Sequence, residues 1–324
     1  MRQVWRVALL AALAGAACAN DDVSSVIVSG SSTVAPISAL VAEDFQTTRP
    51  ETSVTVDGPG TGDGFQLFCD GEVDVTGASR PIKDEEAADC RAAGVDFVEL
   101  AVAYDGIAVL TSPANTAVDC LSFADLYALA GPESKGVTRW SRAEPLAREL
   151  GSTTTLPDLE LVMIAPGEES GTYDSFIELA FHGVAEARVE AGAISDDQVA
   201  QTRPDYQASS DDNVILQGIE GARGAFGWVG FAFAHEAGDA VKLIEIDAGD
   251  GCVAPTPATI ADGSYPISRP LFVYVNKAAA STNPVVADYI DFYLGDGMAV
   301  VEEVGYVRLP ADQLARSRAV WEAR

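Results

Sequence analysis

The sequence predicts an α/β fold in which short strands alternate with helices. Runs of β-branched residues at 26–28 and 53–56 each precede a turn and then apolar residues at helical spacing. The chain is 48% apolar and 21% charged, which is typical of a globular protein and leaves material for a sizeable core. Alternating strands and helices of this kind predict a layered structure around a parallel sheet.

The strand, loop and helix pattern occurs three times in the first hundred residues. The predicted strands are 26–28, 53–56 and 73–76, and the helical segments that follow them are 36–45, a segment ending at 67, and 84–93. Further predicted strands are 106–110, 159–164 and 269–275, and further helices are 123–130, 173–191 and 284–294. Residues 224–233 predict a tightly packed strand and turn, whereas the polar stretch 131–157 predicts a surface excursion with little structure.

The charge balance excludes several classes of protein. The chain has 20 Lys and Arg against 49 Asp and Glu, a formal charge of −29, so nucleic-acid phosphates and anionic lipid headgroups are disfavoured partners. It has two histidines, His182 and His235, which leave little for imidazole catalysis or a histidine-rich metal site. We therefore expect no metal and no cofactor.

The amino terminus, residues 1–19, predicts an export signal. Arg2 and Arg6 precede an apolar stretch and then small residues, and the apolar part is shorter than the roughly 20 residues that span a bilayer. Two cleavage sites are compatible with the pattern: a lipoprotein cut before Cys18, whose thiol is then acylated, or an ordinary cut after Ala19. The sequence thus predicts an exported protein whose only membrane contact is a lipid anchor at Cys18 or none.

Four cysteines remain after either cut, and an even number in an oxidising compartment predicts two disulfides. Three pairings are open in principle. Cys69 and Cys90 bracket one compact strand-then-helix segment, so we predict the pairs Cys69–Cys90 and Cys120–Cys252. The alternative is four buried free thiols.

Three loops combine glycine, hydroxyl groups and the start of a helix: 30–36, 58–64 and 168–173. Glycine lets the backbone approach a ligand, hydroxyls donate hydrogen bonds, and helix starts present free N–H groups. A fourth segment, 77–81, adds the Ser79 hydroxyl and the Arg80 guanidinium, whose planar fork suits tetrahedral oxyanions. Together the four segments predict an anion site.

Each segment alone has an ordinary structural explanation. A Ser-Thr pair before a helix is commonly an N-cap, and a single arginine such as Arg80 is commonly a surface salt-bridge residue. Segment 58–64 has Asp63 where a dinucleotide-binding fingerprint needs its third glycine, and neither a P-loop nor a G-x-S-x-G motif occurs. Nucleotide binding and nucleophile-elbow hydrolysis therefore lack motif support.

The motifs occur in one order along nearly the whole mature chain: SGSSTVAP at 29–36, GPGTGDGFQLFCDGEVDVTGASRPI at 58–82, SGTYDSF at 170–176 and SRPLFVYV at 268–275. This set resembles the phosphate-specific solute-binding proteins of bacterial ABC importers, the PstS type. The resemblance implies a two-domain periplasmic-binding-protein type II fold with a ligand cleft between the lobes. Lobe one would be 24–104 plus 268–324, and lobe two 105–267.

The resemblance also implies a ligand set. By motif, the family's phosphate-binding residues fall on Ser32, Thr33, the Val34 amide, Thr61, Ser79, Arg80, Ser170, Gly171 and Thr172. Well-known members have an aspartate in place of Arg80, which accepts the proton of monohydrogen phosphate, and an arginine in place of Pro166. The missing acceptor has three candidates here, Glu169, Asp212 and Asn213, although the cluster around Asp212 is equally typical of a helix cap.

The function that follows is an extracytoplasmic receptor that binds inorganic phosphate and delivers it to an ABC permease by closure of the cleft. We expect it in the periplasm or on the outer face of the cytoplasmic membrane, as a monomer. One alternative is a receptor for sulfate, molybdate or a phosphonate. The other is a secreted phosphatase with Ser32 or Thr33 as nucleophile, which would need a base within hydrogen-bond reach.

Overall fold

The computed structural model of the protein describes residues 24–324. The predicted export signal and Cys18 lie outside the described residues. The strands are β1 (Ser24–Gly30), β2 (Thr52–Asp57), β3 (Val75–Ala78), β4 (Phe97–Thr111), β5 (Cys120–Ser122), β6 (Val162–Ala165), β7 (Gln207–Ala208), β8 (Ala225–Gly230), β9 (Lys242–Leu243), β10 (Glu245–Asp247), β11 (Cys252–Val253), β12 (Ser268–Asn276) and β13 (Val307–Arg308).

The α-helices are α1 (Ala35–Thr48), α2 (Thr61–Cys69), α3 (Asp84–Ala93), α4 (Phe123–Ala130), α5 (Trp140–Glu149), α6 (Gly171–Phe176), α7 (His182–Glu190), α8 (Asp212–Gly221), α9 (Phe231–Ala237), α10 (Pro257–Ala261), α11 (Lys277–Thr282), α12 (Pro284–Tyr293), α13 (Val300–Glu303) and α14 (Ala311–Glu322). A π-helical turn, Ile177–Phe181, joins α6 to α7. Among residues 24–324, no helix has the length and apolar character needed to cross a membrane.

The main sheet has the strand order β2, β1, β3, β12, β4, β8, β6, β7, and β13 and β9 also pair with β4. Its two ends are parallel: β1 pairs in parallel with β2 and β3, and β6 does so with β7 and β8. In the middle, β12 and β4 are antiparallel to their neighbours. The prediction of a parallel sheet is therefore right at the ends and wrong in the middle, because β4 and β12 are the strands that cross between the two halves.

The buried side chains form two large cores on either side of this crossing. Strand β4 is 15 residues long; its residues 97–106 pair with β12, and 107–111 pair with β8. The first core contains buried residues from 26–103 and 271–321. The second core contains buried residues from 107–267 together with Val307. Packing is thus divided in two at the residues where β4 passes from one group of strands to the other.

The helices form where apolar residues recur at helical spacing next to a suitable first turn. In α1, Ile37, Val41 and Phe45 recur every four residues and are buried. In α12, Asn283 accepts a hydrogen bond from the Val285 N–H and a proline occupies the first turn, which satisfies the helix start. The helices predicted at 84–93 and 123–130 are confirmed with those bounds.

The polar stretch 131–157 contains a structured helix, so the prediction of an unstructured excursion is wrong. In α5, Trp140, Ala143 and Ala147 share one buried face. The Trp140 indole is fully buried and donates a hydrogen bond to the Gly224 carbonyl at 2.9 Å. Polar residues dominate the composition of this segment, and the buried face consists of one large side chain and two alanines, which is why hydropathy alone conceals it.

Both predicted disulfides are present. Cys69–Cys90 joins α2 to α3 across 21 residues, and Cys120–Cys252 joins β5 to β11 across 132 residues. The second bridge connects the outer strands of a small sheet of order β11, β10, β5. The two other pairings and the free-thiol alternative are thereby excluded.

Candidate anion-binding site

The first two glycine-rich loops and the segment after β3 meet at the carboxyl ends of β1, β2 and β3. The Ser31 N–H donates to the Gly77 carbonyl at 2.8 Å, and the Gly60 N–H donates to the Gly30 carbonyl at 2.9 Å. A Cβ atom on Gly64 would lie 2.4 Å from the Gly30 Cα, closer than any side chain permits. The sequence needs glycine there so that α2 can begin directly against the end of β1.

Hydrogen bonds fix the hydroxyl groups of these loops. The Thr61 and Ser79 hydroxyls are 3.1 Å apart, and the Ser79 N–H donates to Thr61 Oγ1 at 3.3 Å. The Thr33 N–H donates to Ser31 Oγ at 3.2 Å, and the Val34 N–H donates to the Ser31 carbonyl at 3.1 Å. Any contact of the predicted Val34 amide with a ligand would therefore be shared with that carbonyl.

A cavity of about 280 Å³ opens at this point between the two cores. It is lined by Ser31, Ser32, Thr33, Gly60, Thr61, Gly62, Ser79, Arg80, Asp174, Glu178 and Arg269. The structure thus brings together five residues that the sequence predicts as ligands: Ser32, Thr33, Thr61, Ser79 and Arg80. A larger cavity of about 460 Å³ lies beside the Cys120–Cys252 disulfide, but the described residues that line it include no lysine or arginine.

Arg269 lies at the base of the cavity, and sequence reasoning missed it. Its side chain is 8% exposed, and Nε donates to Asp105 Oδ2 at 3.3 Å. Nη1 donates to Glu178 Oε2 at 2.6 Å. Nη2 donates to Thr33 Oγ1 at 3.2 Å and to Ser175 Oγ at 2.8 Å. One guanidinium therefore contacts a loop of the first half and a helix of the second half.

The position of Arg269 on the crossing strands explains this reach. Arg269 on β12 is directly opposite Asp105 on β4, so the pair lies where the chain passes between the halves. Asp105 is 1% exposed; burial raises the pKa of its carboxyl, and the Arg269 guanidinium offsets part of that rise. The one sequence signal for this role is a charged residue inside the otherwise apolar motif SRPLFVYV.

Arg80 also lines the cavity but is held within the first half. Its guanidinium donates to Glu86 at 2.8 and 2.7 Å and lies over the Phe65 ring, 5.6 Å from the ring centre. Burial alone would raise the pKa of Glu86, but hydrogen bonds from Arg80 and from the Lys83 N–H outweigh burial and lower it. Arg80 thus makes a salt bridge and also lines the cavity, and its role as a ligand stays a prediction.

The SGT segment of the second half lies against the first loop. Ser170 Oγ accepts a hydrogen bond from the Thr172 N–H at 3.2 Å, and a Cβ atom on Gly171 would lie 3.7 Å from the Ser32 carbonyl oxygen. Next to this segment, the hydroxyls of Thr33 and Ser175 are 3.4 Å apart. Ser170, Gly171 and Thr172 thus lie beside the first loop but are not among the residues that line the cavity, and their role in binding stays a prediction.

The structure places the predicted proton acceptors away from the cavity lining. The Glu169 carboxylate folds back on its own loop, where a Cβ atom on Gly167 would lie 2.3 Å from Glu169 Oε2. Asp211 caps α8 by accepting a hydrogen bond from the Asn213 N–H at 2.9 Å. Burial and the neighbouring Asp211 carboxylate raise the pKa of Asp212 to about 6. The cap interpretation of this cluster is confirmed for Asp211, and the ligand roles of Glu169, Asp212 and Asn213 stay untested.

The two histidines have structural neighbours of their own. His182 lies 3.2 Å from Glu186 one helical turn away, and His235 stacks on Phe231. Within residues 24–324, no three His, Cys, Asp or Glu side chains are grouped so that they could hold a metal ion.

Comparison with known proteins shows the family. The model of the PBP superfamily domain matches residues 15–296. The chain belongs to the PBP superfamily. The predicted α/β periplasmic-binding fold is confirmed by this match and by a solved member: a possible phosphate binding protein from Planctomyces limnophilus superposes with a TM-score of 0.80 at 38% identity, over 92% of this chain and 98% of that one.

Two relatives of this PBP-superfamily protein align with most of the chain, and the name of one of them, PstS, states its ligand. Protein SphX of Synechocystis sp. is 36% identical over 299 residues, which cover 91% of this chain and 82% of SphX. The phosphate-binding protein PstS of Staphylococcus aureus is 31% identical over 284 residues, which cover 87% of this chain and 77% of PstS. The chain is thus homologous to the PstS phosphate-binding proteins over most of its length, as its motifs predict.

Proposed function

We propose that this protein is an extracytoplasmic receptor that binds inorganic phosphate in the cavity between its two cores and delivers it to the permease of an ABC importer. The observation that carries the proposal is the buried guanidinium of Arg269 at the base of a cavity lined with hydroxyls. The homology to PstS of S. aureus supports phosphate as the anion.

The lining is chemically suited to a tetrahedral oxyanion. Arginine presents a planar set of N–H donors, and hydrogen bonds from charged donors contribute about 1.5 to 3 kcal/mol each. The Ser32 hydroxyl adds one donor, and the Thr61–Ser79 pair adds a second, because only one hydroxyl of that pair donates to the other. The chain carries a net charge of −29, but salt screens the distant carboxylates over about 8 to 10 Å. The donors of the cavity act at shorter range than this and can therefore attract an anion.

Closure of the two halves follows from the division of the contacts. We treat 24–104 with 268–324 as one lobe and 105–267 as the other; the separation of the two cores supports this division. Phosphate would contact Thr61 and Ser79 on one side and the segment 170–172 on the other, so only the closed arrangement makes both sets of contacts. We propose that the permease recognises the closed, loaded form.

The cellular setting rests on the sequence. The export signal predicted at 1–19 places the receptor in the periplasm or on the outer face of the cytoplasmic membrane, tethered if Cys18 is acylated. We propose a monomer that acts as a binding protein and not as an enzyme, in keeping with the names of its relatives.

Calorimetric titration of the mature protein tests the function. The protein is first unfolded and refolded to remove bound ligand, and is then titrated with phosphate and separately with sulfate at one pH. We expect tight phosphate binding and no sulfate heat. No phosphate heat would contradict the proposal and direct the search to molybdate, phosphonates and then hydrolase assays.

A further inference from the structure

The carboxylates around the cavity differ in whether an arginine already donates hydrogen bonds to them. Glu86 accepts two hydrogen bonds from Arg80, and both Asp105 and Glu178 are bonded to Arg269. Asp174 lines the same cavity, yet its carboxylate makes no ion pair and no hydrogen bond with any part of the chain that the structure describes. It is the cavity-lining carboxylate whose accepting capacity is unused.

The position of Asp174 is set by its neighbours. Its own N–H donates to the Ser170 carbonyl at 3.2 Å, which fixes it in the first turns of α6. The next residue, Ser175, accepts a hydrogen bond from Arg269 at 2.8 Å. Asp174 and Glu178 are four residues apart, one helical turn, and both line the cavity. The second half of the molecule thus presents Asp174 to the space that the hydroxyls of the first half enclose.

The electrostatic surroundings of the Asp174 carboxylate favour its acceptance of a hydrogen bond. Burial raises the pKa of Asp174, the neighbouring Glu178 raises it further, and Arg269 offsets part of the rise. A carboxylate whose charged form is disfavoured gains more from a donated hydrogen bond than a freely solvated one. It also repels an anion that has no proton to donate.

Phosphate and sulfate differ in this respect. Both are tetrahedral and both accept hydrogen bonds from hydroxyls and guanidinium groups, but at neutral pH phosphate retains a proton and sulfate has none. The two arginines that line the cavity, Arg80 and Arg269, have only donors. Discrimination therefore requires another acceptor that faces the anion.

We propose that the Asp174 carboxylate accepts a hydrogen bond from the protonated oxygen of monohydrogen phosphate and thereby excludes sulfate from the cavity. The inference rests on the proposed function, because it names the residue that makes the phosphate site selective. It replaces Glu169 and Asp212, which do not line the cavity, as the site of discrimination.

The test is calorimetric titration of the wild type, Asp174→Asn and Glu169→Gln with phosphate, arsenate and sulfate at pH 7.5. In Asp174→Asn sulfate, which gives no heat with the wild type, binds measurably. The phosphate-over-sulfate affinity ratio falls at least about tenfold below the lower limit set by the wild type, because the repulsion of sulfate is removed and the acceptor is weakened. The phosphate-over-arsenate ratio stays constant, since arsenate carries a proton as phosphate does. The Glu169→Gln control keeps both ratios of the wild type.

Each other result has a definite meaning. An unchanged phosphate-over-sulfate ratio in Asp174→Asn, or an equal loss for all three anions, overturns the assignment and leaves the phosphate receptor intact. A narrowed ratio in Glu169→Gln alone transfers the role to Glu169. Absence of phosphate heat in the wild type overturns the proposed function and this inference with it. Should Asp174→Asn fail to fold, as judged by its thermal unfolding, Asp174→Ser serves for the same titrations.

Discussion

The two arginines of the cavity are held in opposite ways. Arg269 is 8% exposed and donates to residues of both halves, among them Thr33 and Ser175. The Arg80 side chain is 30% exposed, and its ion pair with Glu86 lies wholly within the first half. A cation bonded to both halves links anion binding to their relative position, whereas a cation bonded to one half adds affinity alone.

The comparison also shows why burial matters more than loop position. The Arg269 guanidinium has lost most of its contact with water and is already oriented by Asp105, so it gives up little freedom when an anion arrives. Arg80 is oriented by Glu86 but stays partly hydrated, and solvent screens its attraction for the anion. We therefore expect Arg269 to contribute more to phosphate binding than Arg80 does.

Replacing Arg269 with lysine should produce the largest effect. Lysine keeps the charge beside Asp105 but lacks the fork that reaches Thr33 and Ser175 together, so phosphate affinity should fall at least about a hundredfold, or about 2.7 kcal/mol. Calorimetric titration measures the change, and thermal unfolding confirms that the variant folds. The control Arg49→Lys, on the exposed pair with Asp288, should bind as the wild type does. Wild-type phosphate affinity in Arg269→Lys would contradict the larger contribution assigned to Arg269.

Replacing Arg80 with alanine should weaken phosphate binding about tenfold, the loss of one charge-assisted hydrogen bond, without unfolding the protein. The effect should be smaller than that of Arg269→Lys in the same titration. Arg91→Ala, on the same helix as Glu86 but outside the cavity lining, serves as the control. If Arg80→Ala lowers phosphate affinity more than Arg269→Lys does, the ranking of the two arginines is reversed. If Arg80→Ala leaves phosphate affinity unchanged, Arg80 does not contact the ligand.

The smallest effect concerns Asp212, outside the cavity lining, where we expect a change in stability without a change in affinity. Its pKa is raised from 3.8 to about 6 by burial and by Asp211, so the folded state prefers the neutral carboxyl. The free energy of unfolding therefore falls as pH rises from about 4 to 6, the range between the two pKa values. Asp212→Asn avoids this loss, so above pH 6 the variant should be about 1 kcal/mol more stable than the wild type. This figure includes a reduction for the partial exposure of Asp212. Below pH 4 the two proteins should be equally stable.

Urea unfolding at pH 7.5 and pH 3.5 measures that difference. Asp211→Ala is the comparison variant: it removes the hydrogen bond to the Asn213 N–H, a loss of about 1 kcal/mol, and also the charge that raises the pKa of Asp212. Its net destabilisation at pH 7.5 should therefore be smaller than that loss. A loss of phosphate affinity in Asp212→Asn would instead return Asp212 to the binding site. No gain in stability at pH 7.5 would contradict the burial argument.

Sequence patterns predicted the first half of the cavity better than the second. Ser32, Thr61 and Ser79 stand in glycine-rich loops between a strand and a helix, and such loops are recognisable from residue types alone. Arg269 stands inside a strand, where its one local signal is a charge within a mostly apolar run. Its role depends on the pairing of β12 with β4, which no local pattern encodes.

The remaining differences have the same origin. Asp174 stands within the motif SGTYDSF, but no local pattern indicates that Glu178 and Asp105 accept hydrogen bonds from Arg269 while Asp174 does not. The reversal of strand direction in the middle of the sheet likewise depends on how the chain crosses between the halves. Both disulfides, in contrast, are predictable, because the even number of cysteines and the compactness of the segment between Cys69 and Cys90 can be read from the sequence, which leaves Cys120 and Cys252 as the second pair.

A crystal structure of the protein with phosphate at neutral pH tests the central claim most directly. The account predicts a phosphate bounded by the hydroxyls of Thr61 and Ser79, within hydrogen-bond distance of the Arg269 guanidinium, with its protonated oxygen facing Asp174. A phosphate that contacts Arg80 but not Arg269, or that lies outside this cavity, would contradict it.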